Sequence, residues 1–191
     1  MPTNRHLTRA ATELYASTLV DALSDAGGID AVLSARSQII QVIAYDRAHV
    51  ELQRALRDKD YSPEQRRELM GKVFADCEPA LVGALGLMAE RSEFDQRPRV
   101  LEEFDRQVAD KLNTTVVDVV TRVPLDDHLR EVITSKTSAD LGRDVVLNES
   151  IDPYMLGGII MSAEGKRIDA SINTMLEGAR RTLKKTKTEV S

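Results

Sequence analysis

The chain has 191 residues, of which 42% are hydrophobic and 30% charged, and its formal net charge is −5. This length suffices for one or two small hydrophobic cores, and the acidic balance with few aromatic side chains argues against a nucleic-acid-binding protein. No apolar run approaches the roughly 18 residues of a membrane-spanning helix, and the first residues lack the apolar segment of a signal peptide, so we expect a cytoplasmic protein.

Residues 1–110 have the apolar periodicity of α-helices and no strand pattern. The pair Gly27-Gly28 is expected to end the first helix. The segment Ser62-Pro63-Glu64-Gln65 predicts a helix start with a capping box, and Pro79 and Pro98 mark the beginnings of later helices. Six helices with short connections predict an antiparallel six-helix bundle as the first of two domains.

Residues 111–191 change to a mixed pattern that predicts a small α/β domain. β-branched residues and turn signals define short strands, the last two of which form a hairpin around Glu164-Gly165. The predicted strands are 116–123, 144–147, 159–163 and 166–168. The Gly157-Gly158 pair before the hairpin indicates a close approach of backbones at a strand entry.

Two helices complete this second domain. The first is expected to begin at a cap formed by Asp126 or Asp127 and to end at Gly142. The second follows the hairpin and is expected to be capped by Asp169 or Ser171. Both helices carry apolar positions on one side, so we expect a small sheet covered by two helices.

The sequence offers little catalytic or metal-binding chemistry. The three histidines are far apart, and Cys77, the single cysteine, is interpreted as a small buried residue rather than a catalytic thiol. The glycines before Lys166 resemble a phosphate-binding loop only superficially, because the spacing is two residues too long and Arg167 stands where a hydroxyl should be. We therefore predict no cofactor and no metal, and an enzyme using Lys166, Asp169 and Ser171 is the least favoured alternative.

Two helix faces could instead form a groove for an amphipathic partner helix. Their residues are Leu7, Ala11, Leu14 and Tyr15 on the first helix, and Leu81, Ala84, Leu85 and Met88 on the fifth. Periodicity alone favours the simpler interpretation that these residues form the core of the bundle. If they do bind a partner, a cytoplasmic helical adaptor is the alternative function that the residues themselves suggest.

The segment Asp152-Pro153-x-x-Leu156-Gly157-Gly158, followed by Ile168-Asp169-x-Ser171, closely resembles the signature of the F-type ATP synthase delta subunit. This family is the bacterial counterpart of the mitochondrial oligomycin-sensitivity-conferring protein. Residues 14–19, 62–69 and 87–94 also resemble family segments in the same order, so the likeness covers essentially the whole chain. One departure is Ala170, where the family usually has glycine, and it bears on the local turn geometry.

The resemblance implies a non-catalytic stator subunit without cofactors. The N-terminal bundle, residues 1–110, would bind the N-terminal helix of an alpha subunit of the catalytic head along the first and fifth helices. That favours Leu7, Ala11, Leu14 and Tyr15 as partner-binding residues. The α/β domain, residues 111–191, would bind the C-terminal ends of the b-type peripheral stalk. The protein would lie at the cytoplasmic face of the cell membrane, associated with it only through the complex, and would hold the head so that rotor torque drives ATP synthesis.

Overall fold

The computed structural model describes residues 4–58 and 60–189, and the side chains of residues 6–58 and 60–181. Its contacts divide the chain into two compact units, Met1–Gln107 and Val108–Ser191. The first unit is helical, and the second contains a small mixed sheet with helices. The structure therefore has the predicted combination of a helical N-terminal region and a small α/β region.

The described part of the first unit is built from five α-helices and a short 3-10 turn. These are α1 (Asn4–Ala48), α2 (Val50–Arg57), α3 (Pro63–Val73), α4 (Pro79–Glu90), the turn Phe94–Gln96 and α5 (Arg97–Leu112), which runs into the second unit. The described chain has seven α-helices altogether, so the predicted count of six in the first domain is not confirmed.

A kink inside α1 explains the difference in count. Gly27 has φ −158° and ψ 16°, and Gly28 has φ 65° and ψ −150°, so neither residue is helical. The conformation of Gly28 is one that glycine adopts at little cost because it lacks a Cβ atom. The break lies where the sequence predicted the end of the first helix, and it divides α1 into two helical segments.

The start of α3 follows from its sequence alone. The backbone N–H of Gln65 donates to Ser62 Oγ at 3.2 Å, and the backbone N–H of Ser62 donates to Gln65 Oε1 at 2.8 Å. Pro63 occupies the first helical position, where its missing N–H costs nothing. This is the predicted capping box, and it is confirmed.

Two ion pairs join the second segment of α1 to α5. Arg36 donates to both carboxylate oxygens of Asp105, at 2.6 and 3.0 Å. Ten residues later along α1, the buried Asp46 accepts from the buried Arg97. Because the earlier residue of α1 pairs with the later residue of α5, the two segments run antiparallel. Reversing one of them would bring like charges together, so the pairs also specify direction.

The second unit is built around a four-stranded sheet. Its elements are β1 (Thr114–Thr121), α6 (Asp127–Leu141), β2 (Asp144–Ile151), β3 (Gly158–Ala163), β4 (Lys166–Ser171) and α7 (Ile172–Glu189). The strand order is β2-β1-β3-β4, with β1 and β2 parallel and the other neighbours antiparallel. The parallel pair requires the crossover that α6 supplies.

The helix α6 begins and ends as the sequence predicts. The backbone N–H of Leu129 donates to Asp126 Oδ1 at 2.7 Å, and Gly142 closes the helix with φ 68°. The core of this unit centres on Val117 and Val119 of β1, with Ile133 of α6 packed against them. Alternate β1 residues thus face α6, as expected for a strand covered on that side.

The helix α7 differs from its predicted role. Every side chain from Ile172 to Arg181 is exposed, so this described part of α7 adds nothing to the core. The expected sheet covered by two helices is therefore not what the described side chains form, because only α6 contributes to the core described above. An amphipathic pattern shows that one side of a helix is apolar, but it does not show what covers that side.

Candidate partner-binding site

The first segment of α1 has two unlike sides. Tyr15 and Leu19 are buried in the unit, as are Ala16, Val20 and Leu23. On the other side Leu7 and Leu14 are exposed to 57% and 64%, and Ala11 between them is half-buried. We call Leu7, Ala11 and Leu14 the α1 surface. Of the four residues predicted on this helix, these three are accessible to a partner and Tyr15 is not.

The four residues predicted on α4 lie mainly inside the unit. Leu81, Leu85 and Met88 are buried, and Ala84 is half-buried. Their burial agrees with the simpler interpretation of the sequence, in which these residues form the core of the bundle. Leu87 is the large exposed apolar residue of α4, and the sequence reasoning missed it. Since α4 is apolar on nearly all sides, its hydrophobic pattern could not distinguish the inner face from the outer one.

The buried Tyr15 fixes α1 against the segment after α4. Its hydroxyl donates to Glu93 Oε2 at 2.7 Å. Burial raises the pKa of the Tyr15 phenol above its ordinary value. Tyr15 therefore supports the α1 surface from behind rather than forming part of it.

A charged cleft of about 760 Å³ lies between the start of α1 and α5. Arg9 pairs with Glu13 at 3.0 Å, and Arg106 pairs with Glu103 at 2.5 Å. Burial acts to raise the pKa of Glu103, but the hydrogen bonds from Arg106 and Gln107 lower it below its ordinary value. The cleft thus holds ionised side chains of both signs on the side of α1 that faces α5.

The signature segment of the second unit has an architectural role. Gly158 has φ 88°, and a Cβ atom there would lie 2.3 Å from the carbonyl oxygen of Ala170. The predicted close approach of backbones is therefore the reason for glycine at this position. Ala170 itself lies in β4, paired with Ile159, and does not have a positive φ. The departure from the family pattern at Ala170 is thus accommodated in a regular strand.

The start of α7 is capped by both predicted candidates acting in series. The backbone N–H of Thr174 donates to Ser171 Oγ at 3.3 Å, so Ser171 is the cap. The backbone N–H of Ser171 in turn donates to Asp169 Oδ1 at 3.1 Å. Hydrogen bonds with the side chain and then the backbone of Ser171 lower the pKa of Asp169. These contacts assign Asp169 and Ser171 to holding the strand-to-helix junction.

Several large apolar side chains near the junction of β4 and α7 are exposed. Tyr154 and Leu156 belong to the loop before β3, and Ile172, Met175 and Leu176 belong to α7. The backbone N–H of Ile172 donates to the Gly157 carbonyl at 3.0 Å, which holds the loop against the beginning of α7. The sequence placed the α7 residues on one side of a helix but did not identify that side as accessible.

Other potential sites are sparse in the part of the chain that the structure describes. No group of three or more His, Cys, Asp or Glu side chains there is arranged to hold a metal ion. Cys77 is half-buried, and burial together with the nearby Asp76 raises the pKa of its thiol. None of the helices in the described ranges has the length and apolar character needed to cross a bilayer.

Comparison with known proteins agrees with the resemblance of the signature segment. A family described as the ATP synthase delta (OSCP) subunit matches residues 11–183. The ATP synthase subunit delta of Azorhizobium caulinodans is 27% identical over 172 residues, which cover 89% of this chain and 91% of that protein. The ATP synthase subunit delta of Anaeromyxobacter dehalogenans is 32% identical over 139 residues, covering 70% of this chain and 76% of that protein.

Among solved structures, one chain in the cryo-EM structure of the Toxoplasma gondii mitochondrial ATP synthase hexamer is similar to this one. It is 17% identical, covers 90% of this chain and 96% of its own length, and has a TM-score of 0.49. The family assignment rests on the sequence relatives and on the match over residues 11–183, which spans most of both units. The chain belongs to the ATP synthase delta (OSCP) subunit family.

Proposed function

We propose that this protein is a non-catalytic stator subunit of the F-type ATP synthase. It links the alpha subunits of the catalytic head to the b-type peripheral stalk at the cytoplasmic face of the cell membrane. The observation that carries this proposal is the family match over residues 11–183. The subunit needs no cofactor for this role, because its work is to bind two partners and to resist their relative rotation.

The α1 surface supports the head-binding half of the proposal. Leu7 and Leu14 lie two helical turns apart on one side of α1, with Ala11 between them. This spacing matches the way in which an amphipathic partner helix presents its own apolar residues. The N-terminal helix of the alpha subunit is such a partner, and it would cover these side chains. Leu81, Leu85 and Met88 contribute from beneath by shaping the core on which α1 rests.

The second unit supplies the stalk-binding half. Its exposed apolar residues surround the junction of the loop before β3 with α7. A surface of this composition is typical of a protein contact, because large apolar groups in water are costly to leave uncovered. The C-terminal ends of the b-type subunits are the partner proposed for this unit.

The mechanism is mechanical. The rotor exerts torque on the head during proton flow, and a head that turned with the rotor would make no ATP. Two joints in series prevent this, and each must hold under load. Specific protein interfaces bury about 1,600 Å² in total, so each joint should use an extended surface rather than a few contacts.

The proposal is tested by isothermal calorimetry on the full chain. The titrant is a peptide of the first ~20 residues of the alpha subunit from the same cell, a length that forms a helix of ~30 Å. We expect one-to-one binding with a Kd below about 1 µM. Leu14→Asp should weaken it about tenfold or more, because a carboxylate would be buried at the contact. Val50→Asp is the matched control, since Val50 is also exposed but lies on α2.

The outcomes separate the two interpretations of the first unit. If the folded wild-type protein does not bind the peptide, the head-binding half fails and the adaptor function becomes the better explanation of the exposed leucines. If Leu14→Asp binds the peptide as tightly as the wild type, the peptide binds the protein elsewhere and the α1 surface is not its site. Circular dichroism on each variant shows that the helical content is retained.

A further inference from the structure

Buried polar atoms without partners gather in one part of the first unit. Among the described side chains, the buried atoms Asp46 Oδ1, Arg66 Nε and Arg97 Nε make no hydrogen bond. Asp46 and Arg66 line the same pocket, and Arg97 is the ion-pair partner of Asp46. Buried polar atoms in proteins are nearly always paired, so their concentration around one pocket points to a polar ligand there.

This pocket has a volume of about 270 Å³ and is formed by the end of α1, by α2 and α3, and by the residues that follow α4. We call it the α2–α3 pocket. A water molecule occupies about 30 Å³ in the liquid, so the space suffices for a small polyatomic ion with some of its hydration water. The main polar and apolar residues of the lining are Asp46, Gln53, Leu56, Arg66, Ser92 and Phe94.

Arg66 brings a positive charge to the α2–α3 pocket. Its Nη1 donates to the Ser92 hydroxyl at 2.9 Å and, with a longer contact, to the Leu56 carbonyl at 3.4 Å. Both acceptors are neutral, and Arg66 forms no ion pair with a carboxylate in the described ranges. Its guanidinium group therefore has both an unpartnered N–H and an unbalanced charge.

The other charged side chains of the lining are already balanced. Asp46 accepts from Arg97 through its second oxygen, Oδ2. Arg57 and Asp95 pair with each other at 3.4 Å, and both are about two-thirds exposed. With these two pairs neutral, the charge of Arg66 is in excess, and an anion is the ligand that compensates it. That anion would also have to supply a hydrogen to the unpartnered oxygen of Asp46.

We propose that the α2–α3 pocket binds an oxyanion that retains a hydrogen on one of its oxygens, such as hydrogen phosphate. Its unprotonated oxygens accept from the guanidinium of Arg66, in charge-assisted hydrogen bonds of the kind that arginine forms with phosphates. Its O–H donates to the carboxylate of Asp46. The ion would thereby join α3 to the end of α1, and it shares no residue with the α1 surface.

Ligands of other charge or hydrogen-bonding type fit these residues less well. A carboxylate or a sulfate ion has only acceptors at neutral pH, so its oxygens would face the carboxylate of Asp46 without a hydrogen between them. A neutral amide could bond to both residues but would leave the charge of Arg66 unbalanced. A metal cation would be repelled by Arg66, and the described residues hold no group of ligands for one.

The test is an NMR titration of the full ¹⁵N-labelled chain with sodium phosphate at about pH 6, where inorganic phosphate and its monoesters both carry a proton. The side-chain Nε–H signal of Arg66, identified by its loss in Arg66→Lys, should shift saturably with a Kd of about 1 mM or lower. Glycerol phosphate distinguishes the two sources of the ion: tighter binding than phosphate assigns the pocket to a monoester, and weaker binding assigns it to free phosphate.

A matched pair of variants on α3 tests the residue that provides the charge. Arg66→Met should raise the Kd for phosphate about tenfold or more, followed through the backbone amides of Ala89 and Ser92. Arg67→Met is the control, because Arg67 is the next residue, is exposed, and pairs with Glu90 at 3.4 Å outside the pocket. Its Kd should equal that of the wild type. Circular dichroism checks that both variants remain folded.

Sulfate tests the role of Asp46 without any variant. At equal ionic strength it should bind about tenfold more weakly or worse, because it has no hydrogen to donate. Equal binding of sulfate and phosphate would overturn the proposal, as would an equal loss of affinity in Arg66→Met and Arg67→Met. The absence of a saturable shift with phosphate would also overturn it, since the pocket would then hold water only. None of these measurements involves another subunit, so their outcome is independent of the proposed stator function.

Discussion

Replacing Arg97 by methionine should destabilise the first unit strongly, whereas replacing its partner as well should not. Arg97 and Asp46 form an ion pair in which the side chains are only 8% and 7% exposed. Burial lowers the pKa of Arg97, and Asp46 opposes that shift by attracting the charged form. Removing the cation leaves a buried carboxylate without its counter-charge, which costs about 3–5 kcal/mol.

Other contacts of Arg97 and Asp46 also affect the free energy that each variant loses. Arg97 also donates to the carbonyl oxygen of Phe94 and lies 3.9 Å above its ring, so Arg97→Met loses more than the ion pair. Asp46 Oδ1 is buried and has no hydrogen-bond partner among the described residues, so the carboxylate is incompletely compensated even in the wild type. The double variant Asp46→Leu with Arg97→Met removes both charges and this unpartnered oxygen. Its stability should lie within about 1 kcal/mol of the wild type or exceed it.

Urea unfolding followed by circular dichroism measures both effects as free energies of unfolding, and an unchanged m-value shows that the comparison is valid. Arg36→Met is the matched control, since its partner Asp105 is 33% exposed and can stay hydrated after the change. Its loss should be clearly smaller than that of Arg97→Met. The reasoning is refuted if the double variant loses as much as Arg97→Met alone, because the cost would then come from packing rather than from an uncompensated charge.

Two further predictions concern the second unit. Gly158→Ala should destabilise the second unit by about 3 kcal/mol or more in urea unfolding, because the new Cβ atom would clash with the Ala170 carbonyl oxygen. Gly142→Ala is the control: Gly142 also has a positive φ but has open space around it, so this variant should lose only about 1 kcal/mol. The pKa of Asp169 is lower in the folded protein than its ordinary value of 3.8. Ionised Asp169 therefore stabilises the fold at pH values above 3.8, and this stabilisation is lost as the pH falls through the folded-state pKa. Asp169→Asn should therefore flatten this acid-side loss of stability, and equal slopes for variant and wild type would contradict the assignment.

Features set by a few neighbouring residues could be predicted from the sequence. The capping box at Ser62, the α6 boundaries at Asp126 and Gly142, and the close approach at Gly158 all depend on local chemistry, and each is present in the structure. The ion pairs could not be predicted, because Asp46 and Arg97 are separated by 51 residues and nothing in the local pattern joins them. Such pairs become visible only once the helices are packed.

The candidate site was less predictable for a related reason. On α4 the apolar residues surround the helix, so the pattern selected Leu81, Leu85 and Met88, which are buried, and passed over Leu87. On α1 the same kind of pattern selected Leu14, which is exposed. Periodicity measures how apolar residues are arranged on a helix, and it gives the same signal for both cases.

That ambiguity has a physical origin which bears on the proposed function. A helix face that will be covered by another chain needs the same spacing of apolar residues as a face covered by its own domain, because the packing rules are the same in both cases. Leu14 and Met175 therefore look like core residues in the sequence and are exposed in the structure. A linking subunit must keep such faces open while its own core remains intact. In the first unit, ion pairs specify the antiparallel arrangement of the second segment of α1 and α5. In the second unit, the Ser171 cap and Gly158 fix the start of α7. Changes at these supports should alter stability first, whereas changes at Leu14 or Met175 should alter partner affinity and leave stability nearly unchanged.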